Sequence, residues 1–131
     1  MNKEHKQVFT KVNIEVDEGI EPIVSALSQF PYLSTIESCE GQGEKNAFVY
    51  FEYGVIGGRA VTKNSWKRTS QFVFGFLSPG LWDKVQDACS LSMELYMGTN
   101  YMVTIHIMPG ALKQIESAIN ELYDKWVNLS N

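Results

Sequence analysis

Apolar and polar residues alternate over 7–16 (QVFTKVNIEV), with Val8, Thr10, Val12, Ile14 and Val16 on one side and Lys11, Asn13 and Glu15 on the other. That period of two predicts a strand. From Asp17 the period lengthens. Ile20, Ile23, Val24 and Leu27 fall at helical spacing, Asp17 is placed to cap, Pro22 sits in the first turns and Pro31 stops the run, which predicts a helix over 18–29. Short apolar runs over 33–39 (LSTIESC), 47–53 (AFVYFEY) and 71–77 (QFVFGFL) read as strands, because aromatic and β-branched side chains suit a pleated surface. Ser78-Pro79 resembles a helix start, and Trp82, Val85, Cys89, Met93 and Tyr96 follow at helical spacing, predicting a helix over 80–96 with Gly98 as its cap. Tyr101, Val103, Ile105 and Ile107 alternate along a strand over 101–108. Leu112, Ile115, Ile119, Leu122 and Trp126 stripe a final helix over 111–127, with Glu121 and Lys125 forming an i, i+4 pair on its polar side.

The order β-α-β-β-β-α-β-α gives about five strands and three helices, an α+β fold with a mixed-sheet α/β arrangement as the variant, and the helices on one face. A chain of 131 residues matches one globular domain, 1–131, with 1–6 a frayed terminus. No repeat or low-complexity tract divides it. No apolar run approaches the length of a bilayer span, and no apolar segment follows the polar start, so the expectation is a cytoplasmic protein with no membrane partner. Cys39 and Cys89 lie fifty positions apart and form no CxxC, which suits free thiols in a reducing compartment.

The net charge of −4 speaks against a dedicated nucleic-acid binder, yet its distribution is uneven. Residues 1–52 carry nine acids and four bases, whereas 53–82 contain no acid and carry Arg59, Lys63, Lys67 and Arg68. Three features could hold chemistry. The loop Ser38-Cys39-Glu40-Gly41-Gln42-Gly43 offers glycines for close backbone approach, consecutive N–H groups for an anion and a thiol at a strand end, or else is simply a tight hairpin. The basic stretch Arg59, Lys63, Trp66, Lys67, Arg68 could hold phosphate and stack a ring, or else is a solvated loop. His106, mid-strand with Met102, Thr104 and Met108, could act as a base in a cleft, or else is a half-exposed strand histidine. Two distant histidines and one distant cysteine do not make a metal set, so no metal is expected.

The segment Asp17-Glu-Gly-Ile20-Glu-Pro22 through Phe30-Pro31-Tyr32-Leu-Ser-Thr35-Ile-Glu-Ser38-Cys39-Glu-Gly41 resembles the front of the tRNA wybutosine-synthesis methyltransferase family, in which a strand runs into Ser-Cys-Ser-Gly-Arg. Ser38, Cys39 and Gly41 match; Glu40 and Gln42 stand where that family has serine and arginine. The likeness covers about residues 17–41 and implies a shared fold. Two readings follow. One is a ligand- or partner-binding module on that fold, its ligand and cofactor unknown. The alternative implied by the resemblance is a divergent S-adenosylmethionine-dependent RNA-modifying enzyme, with nucleic acid as partner and the 38–43 loop near the cofactor. Aromatics on both faces of 47–53 (Phe48, Tyr50, Phe51, Tyr53) further predict a homodimer or larger assembly.

Overall fold

A computed structural model describes residues 17–41, 46–56, 59–60, 65–96 and 100–130. Its elements are α1 (Glu21–Ser28), β1 (Leu33–Cys39), β2 (Ala47–Tyr53), β3 (Val55–Ile56), β4 (Arg59–Ala60), α2 (Ser65–Phe72), a π turn (Val73–Leu77), α3 (Ser78–Val85), a 3-10 turn (Gln86–Ala88), β5 (Cys89–Tyr96), β6 (Asn100–Ile107) and α4 (Leu112–Ser130). β1, β2, β6 and β5 form an antiparallel sheet in the order β1-β2-β6-β5, and β3 pairs with β4 separately. This is an α+β fold. The strand expected over 7–16 and the terminus 1–6 lie outside the described residues.

The alternation in β2 decides which face is covered. Ala47, Val49, Phe51 and Tyr53 are buried, and their neighbours on β6 are Ile107, Ile105 and Val103. Onto that face pack Ile20, Ile23, Val24 and Leu27 from α1 and its lead-in, Phe72, Val73, Leu77 and Leu81 from the central helix, and Ile115, Ile119 and Leu122 from α4. Each fully buried side chain of this size contributes roughly 1.5–3 kcal/mol through water exclusion. Phe48, Tyr50 and Glu52, with Met102, Thr104 and His106 beside them in register, lie on the opposite face.

Two expected elements are corrected. Residues 71–77 are helical, not a strand, and α2, the π turn and α3 run as one helix from Ser65 to Val85. The alternation Phe72, Phe74, Phe76 suggested a sheet, but Phe74 is exposed, and Phe72, Val73, Leu77 and Leu81 are the buried set. A helix stripe onto the core outweighed local β propensity. Ser78-Pro79 therefore does not start a helix but continues one. Pro79 has no N–H to bond four residues back, and the wider π turn before it, closed by Ser78 N–H donating to the Val73 carbonyl, accommodates the break.

Residues 89–96 form β5 rather than the second half of a helix. Their alternation of Cys89, Leu91, Met93 and Leu95 with serines and Glu94 fits a strand, and pairing along the whole of β6 satisfies that strand's free backbone edge. The helix stops at Gln86, whose φ of 57° turns the chain. The cap expected at Asp17 is not made. α1 begins at Glu21 without a side-chain cap, and the Asp17 carboxylate instead accepts the Glu40 N–H at 3.2 Å. Glu121 pairs not with Lys125 but with Lys84 across the α3–α4 contact, at 2.7 Å. That pair is exposed and contributes little.

Both cysteines are free and lie on opposite faces: Cys89 opposes Ile107, and Cys39 opposes Phe48. Burial pushes the Cys89 thiol up to about 11. The protonated form is favoured in the fold, so its contribution to stability is intact below the ordinary thiol range and is lost as pH rises through that value. In a Cys39→Ser variant, alkylation of Cys89 by iodoacetamide should be slow at pH 8 and rise about tenfold per pH unit towards that value. A rate that levels off below pH 9 would contradict the burial argument.

Candidate ligand-binding cleft

Where β2 ends, the chain has to turn, and the turn builds a wall. Tyr32, just before β1, takes a left-handed φ of 68°, and its carbonyl accepts the Gly54 N–H at 2.8 Å. Gly54 has φ +79°, and a Cβ there would press on Arg68 Cδ at 3.2 Å. The conformation therefore favours glycine, and any Cβ would also make the exposed Arg68 stem give way slightly. Thr69, buried in α2, donates its hydroxyl to the Tyr53 carbonyl at 3.1 Å and pins the helix to this end of the strand. Tyr53 and Phe72 stack in parallel, centroids 4.1 Å apart, and the Arg68 guanidinium sits 5.6 Å from the Tyr32 ring centroid.

Behind these groups lies Phe30, fully buried, which meets Phe72, Tyr123 and Trp126 edge-on at 5.3, 5.2 and 5.8 Å. The result is a cleft of about 490 Å³ walled by Tyr32, Tyr53, Phe72, Phe76 and Trp126, with Arg68 and Gln71 at its polar side and Leu129 on its rim. No acid lines it. Burial raises the Tyr53 hydroxyl above its ordinary range, Arg68 pulls it back and Tyr32 raises it further.

The sequence-predicted site residues are spread over the molecule. Arg68 is in the cleft. Trp66, 55% exposed on α2, does not line it. Arg59 opens β4, opposite Ile56, while Lys63, Gln42 and Gly43 lie outside the described residues. Ser38, Cys39, Glu40 and Gly41 stand at the far end of β1, because Leu33 opposes Tyr53 whereas Cys39 opposes Phe48. Six strand steps separate the loop from the cleft, roughly 20 Å. The expected approach of that loop to Arg68 is therefore not found.

At the loop itself, the Ser38 and Thr35 hydroxyls are buried with no hydrogen-bond partner, on either side of the register shift at Ile36. Glu40 accepts the Gly19 N–H at 2.6 Å and gives its own N–H to Asp17, so two donors that could have faced an anion are already taken by carboxylates. His106 is exposed on the sheet face opposite the helical core, across from Phe48 and Ser90. Phe48 on β2 stands between His106 and Cys39, two strand spacings apart or roughly 10 Å, too far for a thiol–imidazole hydrogen bond. Phe48 and Tyr50 stack on each other at 4.7 Å and so hide part of the aromatic surface assigned above to a second chain.

Among the described residues no cluster of His, Cys, Asp and Glu comes together as a metal set, and no helix is long and apolar enough to cross a membrane. Sequence reasoning missed Tyr32, Tyr53, Phe72, Phe76 and Trp126 as site residues. The available signal was a tyrosine directly after Pro31 and another directly before a turn glycine, with an arginine in the acid-free stretch between them and the last helix. No family model, curated protein or solved structure matches the chain.

Proposed function

We propose that this domain is a binding module that takes a small planar molecule in the cleft between the Tyr53 end of the sheet, the central helix and the last turns of α4. The observation that carries the reading is the wall itself. Tyr53 and Phe72 are already stacked, and Phe76 and Trp126 are fixed against the buried Phe30, so the site is formed before a ligand arrives. Preformed aromatic walls with a few convergent polar groups are the usual make-up of small-molecule sites of this size. A ligand pays little ordering cost along the aromatic wall, because Tyr53, Phe72, Phe76 and Trp126 are already held by ring contacts.

Backbone amide resonances read during titration with a panel of planar heterocycles and aromatic acids test the proposal. The expected shifts cluster on Tyr32, Tyr53, Arg68 and Gln71, together with the indole N–H of Trp126. Shifts confined to Phe48, Tyr50 and His106 on the other sheet face, or no shifts with any compound, would refute it. S-adenosylmethionine belongs in the panel as the ligand of the methyltransferase alternative. Its binding at residues 38–41 rather than in the cleft would favour that alternative.

A further inference from the structure

We infer that the ligand of this cleft carries an anionic group, a carboxylate, sulfonate or phosphate ester, which Arg68 holds while the ring system lies along Phe76 and Trp126. The inference rests on the cleft being the binding site. It is argued from Arg68, whose placement has three parts.

The guanidinium is positioned before any ligand binds. Gly54 leaves room for the Arg68 stem, and the Tyr32 ring supports the head. A planar fork restrained in this way loses less freedom on pairing than a freely swinging lysine would. The surroundings also leave the charge unanswered. Among the described residues no acid lines the cleft, and residues 53–82, which supply five of its lining positions (Tyr53, Arg68, Gln71, Phe72 and Phe76), contain none. The Tyr53 hydroxyl and the Gln71 amide, which stand with Arg68 on the lining, can each add a donor to an anion as well as accept. Finally, the walls are apolar and aromatic, so part of the water that screens an exposed arginine is displaced when a ring fills the site, and the ion pair strengthens as it forms. A neutral planar molecule would satisfy the walls and leave the guanidinium to water. An anion satisfies both.

Two fluorescent probes separate the parts of this argument. 8-Anilinonaphthalene-1-sulfonate is an anion on an aromatic ring system, and N-phenyl-1-naphthylamine is the same ring system without the sulfonate. Both are titrated into the folded protein, with near-ultraviolet dichroism confirming that packing is intact. The sulfonate is expected to bind at least about tenfold more tightly than the neutral probe, the difference of one charge-assisted hydrogen bond or more. Arg68→Gln should remove that preference, so that the two probes bind alike. Arg68→Lys should keep part of it, since charge remains and the fork is lost. Raising ionic strength should weaken the sulfonate alone.

Equal binding of the two probes to the wild type, or sulfonate binding that Arg68→Gln leaves intact, overturns the anion inference while the cleft stands. If neither probe binds, or if Phe76→Ala and Trp126→Phe change neither, the cleft reading itself falls and takes the inference with it. Arg68 is exposed, and its replacement is not expected to disturb folding.

Discussion

Replacement of Phe30 by alanine should cost about 3–5 kcal/mol, the largest loss expected from any single truncation near the cleft. Phe30 is fully buried and stands edge-on to Phe72, Phe76, Tyr123 and Trp126, which come from two different helices. Removing it deletes a large apolar group, leaves a cavity and loosens four rings at once, each edge contact contributing about 0.5–1.5 kcal/mol beyond its area. Against a total stability of about 5–15 kcal/mol this is a large fraction. The melting temperature should fall by roughly 10–25 °C. The same variant should lose binding of both naphthalene probes although Phe30 does not line the cleft, because Phe76 and Trp126 would no longer be held. A calorimetric loss below about 1 kcal/mol, or unchanged probe binding, would show that the walls do not depend on it.

Replacement of Gly80 by valine should cost about 1–3 kcal/mol for a different reason. Gly80 is where α3 meets α4. A Cβ at this position would overlap Leu122 Cδ2 and lie 3.0 Å from its Cδ1. Leu122 is 2% exposed, so its methyl groups have little space into which to retreat. The helices would have to separate, at the expense of the α3–α4 contact. Gly75, one turn and a half earlier on the same helix, has nothing within 4 Å of a Cβ. Gly75→Ala should therefore raise stability by about 0.5–1 kcal/mol through backbone entropy alone. Thermal melts of the two variants should move in opposite directions. A Gly80→Val protein as stable as the wild type would mean that α3 and α4 do not pack as described, and adding Leu122→Ala to Gly80→Val should recover part of the loss if they do.

The elements that the residues alone marked out are those in which local pattern and tertiary demand agree. β1 and β2 follow their runs residue for residue, and β6 and α4 follow their alternation and stripe closely, because a period of two or 3.6 with one apolar face has few other ways to bury it. The region 71–96 carried two periods at once. Phe72, Phe74 and Phe76 alternate as a strand would, yet Phe72, Val73, Phe76, Leu77, Gly80 and Leu81 are spaced as a helix face. Residues 89–96 alternate cleanly but also continue the helical spacing of Val85. Nothing local chooses between such readings. The choice was made by what each segment could pack or pair with: α1, α4 and the covered sheet face needed a helix stripe, and the free edge of β6 needed a strand.

The candidate site divides in the same way. The acid-free stretch with Arg68 was visible in the chain, and so was the unusual loop at Ser38–Gly43. Whether they meet was not, because β1 lies between them and only the antiparallel register puts Tyr32 and Tyr53 together at one end and Cys39 and Phe48 together at the other. The cleft draws on Tyr32, Tyr53, Arg68 and Trp126, residues from the start, middle and end of the chain that share no motif. Composition and periodicity determined that this chain forms an α+β domain whose sheet has one face packed on helices. Its concavity was decided by side chains brought together over long sequence separations, where burial, stacking and the left-handed turns at Tyr32 and Gly54 set the geometry.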